Sequence, residues 1–83
     1  MQVGRLLRYA MRKQGVSVRQ LAFAIDKSEY RVLSWLRGYG APNTVDICRK
    51  LCQTLKIRPD VLYEAIRADN VARWERTYGG RGK

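Results

Sequence analysis

The sequence predicts an all-α fold of five helical segments, and three observations predict it. Apolar residues recur three and four positions apart in successive windows, the spacing that lines one face of a helix. Glycine, proline and capping residues punctuate the chain between those windows. No stretch alternates apolar and polar residues as a half-buried strand does.

In the first segment Val3, Leu7, Ala10, Met11 and Gln14 share a face, Arg5, Arg8 and Arg12 lie on the other, and Gly15 is a C-terminal stop. Ser17-Val18-Arg19-Gln20 is a capping-box pattern, so a second helix runs to about Ile25 with Leu21, Ala22 and Ile25 buried. Ala22 is small enough for another helix to cross closely over it. Asp26-Lys27 forms a short turn, and Ser28 caps a third helix that reaches Arg37. Val32 and Trp35 point into its core; Glu29, Tyr30, Leu33, Ser34 and Arg37 point elsewhere. Gly38 closes this helix, and Tyr39-Gly40-Ala41-Pro42 reads as a loop.

Asn43 or Thr44 caps the fourth helix, with Val45, Cys48, Leu51, Cys52 and Leu55 along one face. Arg58-Pro59 opens the fifth, with proline at the first helical position. Val61, Leu62, Ala65 and Ile66 continue its apolar face. Asp69 and Asn70 either interrupt this segment or ride on it, and Val71, Trp74 and Tyr78 extend the stripe. The organisation expected is a domain over 1–66, a C-terminal helical extension over 67–78, and a flexible basic tail over 79–83.

The chain has 83 residues, 46% of them apolar, enough for one modest core and little space for a separate catalytic cleft. Its net charge is +10. Up to Arg58 there are twelve Lys and Arg against three acids; beyond it, five against four. The base-rich part is therefore the helical module, and a polyanion is the natural partner, since each cation placed on a phosphate releases condensed counterions. No apolar run is long enough to span a membrane, and Arg5, Arg8, Arg12 and Lys13 are not followed by the apolar stretch of a signal peptide. A cytoplasmic protein without membrane attachment is expected.

Cys48 and Cys52 fall one turn apart on an apolar helix face, which suits small core residues better than a disulfide or an activated thiol. With no histidine and no clustered acids, neither a metal site nor general acid–base catalysis has candidates. The expectation is a protein without cofactor that is not an enzyme.

Two short capped helices joined by a tight turn over residues 17–37 follow the grammar of a helix-turn-helix. The stretch Gly15-Val16-Ser17, Leu21-Ala22, Ile25, Ser28, Val32, Trp35, Arg37-Gly38 and Pro42 resembles the phage-repressor and Cro-like (XRE-type) helix-turn-helix family. The run Val45, Cys48, Leu51, Cys52, Leu55, Ile57 and Leu62 is similar to that family's fourth and fifth helices, given one extra residue after Pro42. The resemblance covers about residues 4–65 and implies a five-helix, lambda-repressor-like DNA-binding domain whose recognition helix begins at Ser28.

On this resemblance Glu29, Tyr30, Leu33 and Ser34 are the candidates for base contact in the major groove of double-stranded DNA. Arg19, Arg31 and Arg37 are the candidates for phosphate. Three positions depart from the family. Val18 stands where glutamine often touches phosphate, and Asp26 where glycine is favoured at the turn. Met11 and Leu36 stand where an arginine and a glutamate often pair, so an apolar contact is expected instead. Trp74 and Tyr78 lie beyond the resemblance, and a homodimer interface is favoured for them over packing back on the domain. The function implied is a nucleoid-associated transcriptional regulator, a repressor of phage or mobile-element type that binds a palindromic operator as a homodimer. The alternatives are a protein-interaction module, such as an antitoxin or adaptor, and an architectural DNA-bending factor in recombination.

Overall fold

The computed structural model describes residues 2–76, which form five α-helices and no strand. They are α1 (Gln2–Gln14), α2 (Val18–Ile25), α3 (Glu29–Leu36), α4 (Val45–Leu55) and α5 (Pro59–Trp74). None of them is long and apolar enough to cross a membrane. Tyr78 and the 79–83 tail lie outside the described residues.

Local signals set the helix starts. Ser17 Oγ accepts from the Gln20 amide while Gln20 Oε1 accepts from the Ser17 amide, so two N-terminal donors of α2 are satisfied reciprocally. Ser28 Oγ accepts from the Arg31 amide at the start of α3, and Thr44 Oγ1, rather than Asn43, accepts from Ile47 at the start of α4. Arg58 offers no side-chain bond at the start of α5; Pro59 there removes a donor that would otherwise need one.

The first four helices share one closing device. A residue with positive φ follows the helix, and the next amide reaches back five residues to a carbonyl that the helix leaves unsatisfied. The pairs are Gly15 with Val16 N–H to Met11 O, and Asp26 with Lys27 N–H to Ala22 O. Gly38 with Tyr39 N–H to Ser34 O and Lys56 with Ile57 N–H to Cys52 O complete the set. Asp26, at φ 59°, fills the place where the resemblance favours glycine. Lys56, at φ 56°, takes the left-handed conformation that favours glycine, and no breaker residue in the sequence announces it.

The core comprises Val3, Leu7, Ala10, Met11, Leu21, Ala22, Ile25, Val32, Trp35, Ile47, Cys48, Leu51, Cys52, Leu55, Ile57 and Leu62. Not every residue expected on an apolar face belongs to it: Val61, in α5, is 41% exposed. Gln14 is exposed, and so is Val45, which sits at the rim of the groove between α4 and α5; Ile47 supplies the buried side chain instead. The buried arc of α4 is thus Ile47, Cys48, Leu51, Cys52 and Leu55, and α1, α2 and α5 pack on this helix. Both cysteines are free thiols in the core. Burial pushes the Cys48 thiol above its ordinary value, with the neighbouring Cys52 adding to this, and burial raises Cys52 as well.

α1 is the central strut. It packs on α3, α4 and α5, whereas α5 packs on α1 and α4 and touches neither α2 nor α3. Two contacts lock α1 in place. At its side, Gly4 allows a close crossing: a Cβ there would lie 2.7 Å from the Leu36 carbonyl oxygen and 3.2 Å from that of Trp35. At its end, the Gln2 and Val3 amides donate to Asp69 Oδ1 and Oδ2 at 2.6 and 2.9 Å. Asp69 is buried, and its carboxylate meets two of the amides that every helix N-terminus leaves unpaired. It neither interrupts α5 nor decorates it, and α5 passes through residues 66 and 67 without a break. The first turns of the expected extension are therefore part of the packed body.

Candidate nucleic-acid interface

The α2–turn–α3 unit is assembled from both sides. Leu21, Ala22 and Ile25 hold α2 to the core, and Val32 and Trp35 hold α3. The left-handed Asp26 and the N-cap Ser28 shape the turn between them, which leaves only three residues between α2 and α3. With its apolar side committed inward, α3 presents the remaining side chains.

At the N-terminal end of α3, Glu29, Tyr30 and Arg31 are exposed, Tyr30 by 80%. Glu29 occupies the first turn, where the helix dipole favours a negative charge. Arg19 is exposed in the first turn of α2, and Arg37 is exposed at the end of α3. Leu33 and Ser34 are less open than the sequence suggests: both are half-buried. Ser34 lies under the loop that follows α3. Its carbonyl accepts from Tyr39 N–H at 2.9 Å, and its Oγ is 3.9 Å from where a Cβ on Gly40 would stand. The exposed part of α3 is thus concentrated in its first turn.

Three further residues of or beside this unit behave in ways the periodicity does not reveal. Tyr39 is 79% exposed between Gly38 and Gly40, on the loop that folds back over α3. Phe23 is 89% exposed on the face of α2 opposite its buried residues, flanked at helical spacing by Arg19 and Lys27. An aromatic residue within a helix reads as core until the buried arc is known. Finally, Arg8 Nη2 donates to the Leu36 carbonyl at 3.3 Å, tying α1 to the C-terminal end of α3. Met11 and Leu36 both pack in or against the apolar core, so α3 is braced by packing, with the Arg8 bond as a polar link beside it.

Trp74, expected at a dimer surface, is 59% exposed near the end of α5, on an element that does not contact α2 or α3. The described residues contain no group of three or more histidines, cysteines or acids that could hold a metal ion. Compared with family models, with curated proteins and with solved structures, the chain matches none.

Proposed function

We propose that this protein is a sequence-specific DNA-binding regulator with a lambda-repressor-like helix-turn-helix, a repressor that binds a palindromic operator as a homodimer. One observation carries the reading. A doubly capped α2–turn–α3 unit leaves the first turn of α3 open, with Glu29 and Tyr30 flanked by the exposed cations Arg19, Arg31 and Arg37. Residues 2–44 hold eight Lys and Arg against only Asp26 and Glu29, so this half of the chain has the charge that a phosphate backbone requires.

In this reading the roles divide by chemistry. Tyr30 and Glu29 approach base edges, Glu29 as an acceptor for a cytosine amino group. Leu33 and Ser34, being half-buried, contact bases only where the groove wall comes close. Arg19, Arg31 and Arg37 take phosphates, which sets orientation without conveying sequence. Selection of bound fragments from a random DNA pool tests the proposal. A recovered motif with two-fold symmetry supports it; retention of unrelated sequences with equal affinity at moderate salt refutes it.

Phe23 favours a second reading, a protein-interaction module, because so exposed an aromatic between two cations suits an acidic protein surface. Under that reading Phe23→Ala abolishes a stoichiometric protein complex and leaves DNA affinity unchanged.

A further inference from the structure

We propose that the groove between α1 and α5 is a docking site for an acidic amphipathic helix of a partner protein. The two helices run antiparallel: Asp69 caps the start of α1, while Val61 lines a recess with Tyr9 and Lys13. Two adjoining recesses of about 500 and 250 Å³ follow their seam, and Leu6, Tyr9 and Val61 line both. Ala65 adds to the apolar floor of one, and Ala10, Leu55 and Ile57 to that of the other. Along α1 the groove extends from Gln2 to Gln14, about 18 Å or three helical turns.

Spacing and size favour a helix as the occupant. Leu6, Tyr9 and Lys13 recur at three and four positions on α1, and Val61, Ala65 and Ala68 at four and three on α5. Two such ridges accept a third helix between them, and the alanines are small enough for its backbone to come close. Apolar side chains on its successive turns then enter the recesses, the helix-in-groove mode of recognition.

Charge selects its chemistry. Arg5, Lys13, Lys56 and Arg58 line the groove against a single acid, Glu64. Arg58 already meets Asp60 at 3.1 Å. Among the described residues the other three cations have no ion pair, and the Lys13 ammonium lies 5.7 Å from the centre of the Tyr9 ring. An apolar stripe bordered by acids therefore answers both the floor and the rim. A polynucleotide answers the rim and leaves the apolar floor unfilled, and a second copy of a chain with net charge +10 adds like charge to the rim. No residue lining these recesses belongs to α2 or α3, so the site is separate from Phe23 and from the candidate DNA surface.

Fluorescence-anisotropy titration of the full chain with two synthetic helical peptides of about 14 residues tests this. One carries leucine at every third and fourth position with glutamates beside them; the other has alanine for each leucine and the same charge. The leucine peptide should bind at least about tenfold more tightly than its control. Val61→Asp should weaken it about tenfold or more and Lys13→Glu about threefold or more, with the helical circular dichroism retained. Glu64→Lys should tighten it, a gain that no unfolded variant can mimic. Phe23→Ala and Arg31→Glu, on α2 and α3, should leave it unchanged, and amide shifts on titration should fall on α1 and α5. Equal binding of the two peptides, or losses from Arg31→Glu as large as from Lys13→Glu, reduces the effect to net charge and overturns the site. Displacement of the peptide by duplex DNA or by anionic lipid vesicles overturns it as well. So does self-association that Val61→Asp abolishes, which gives the groove to a second copy.

Discussion

Gly4→Ala adds one methyl group to the closest helix crossing in the fold. The new Cβ would stand 2.7 Å from the Leu36 carbonyl oxygen and 3.3 Å from its carbon, both backbone atoms that cannot rotate away. Ordinary contact begins near 3.4 Å, so α1 and the end of α3 must separate by about 0.7 Å. Overpacking of this kind costs about 1–3 kcal/mol. Alanine returns about 1 kcal/mol through its better helix propensity. The net loss is up to about 2 kcal/mol, which lowers the melting temperature of a domain this size by up to roughly 15 °C. Gly15 supplies the control, since it has positive φ and no neighbour within 4 Å of its would-be Cβ. Asparagine tolerates that conformation, so Gly15→Asn should cost under about 1 kcal/mol while Gly4→Asn costs more than Gly4→Ala. Thermal and urea unfolding followed by circular dichroism measures all three against the wild type. If Gly4→Ala is more stable than the wild type, as helix propensity alone would make it, the close crossing is wrong.

Lys56→Gly should stabilise the protein by about 1 kcal/mol by relieving the left-handed lysine at the end of α4, visible as a higher urea midpoint at constant m-value. Asp69→Asn keeps one acceptor but loses the charge and the second bond to α1, and should cost about 2–3 kcal/mol; an unchanged melting temperature contradicts the capping role. For the thiols the folded pKa lies above the unfolded one, so the unfolded chain ionises first as pH rises. Stability contributed by neutral Cys48 and Cys52 is full below the ordinary thiol value of 9.0 and is lost as pH climbs through the raised folded values. Cys48→Ala/Cys52→Ala should flatten that alkaline decline in urea-unfolding measurements. On DNA, Tyr30→Ala should relax sequence preference, and Arg37→Ala should weaken all sequences alike and reduce the salt slope by about one. The reverse pattern in fluorescence-anisotropy titrations would exchange the assigned roles.

Features governed by neighbours in the chain were legible in the sequence. Ser17, Ser28 and the Arg58-Pro59 start act within one turn, and Gly15, Gly38 and Asp26 act on their own backbone. Features that depend on what packs where were not. Whether Val45 or Ile47 enters the core is settled by how α1, α2 and α5 pack on α4. Gly4 is one more helix residue until α3 is laid across it, and Asp69 looks like a surface acid until α1 ends against it. At the candidate interface the first turn of α3 is as open as its position implies. Leu33 and Ser34 are more enclosed than that, Ser34 because the loop after α3 returns over it.

The Asp69 cap also bears on the order in which the molecule is made. Two amides at the very start of the fold wait for a carboxylate 66 and 67 residues further on. A short helix forms within about a microsecond, but at about 5–20 residues per second a ribosome needs roughly 3–13 s to deliver that partner. Throughout that interval α1 frays at its first turn, and its Gly4 flank has no fixed seat against α3. Among the five described helices the first made is thus completed last, and α5 acts as its clasp.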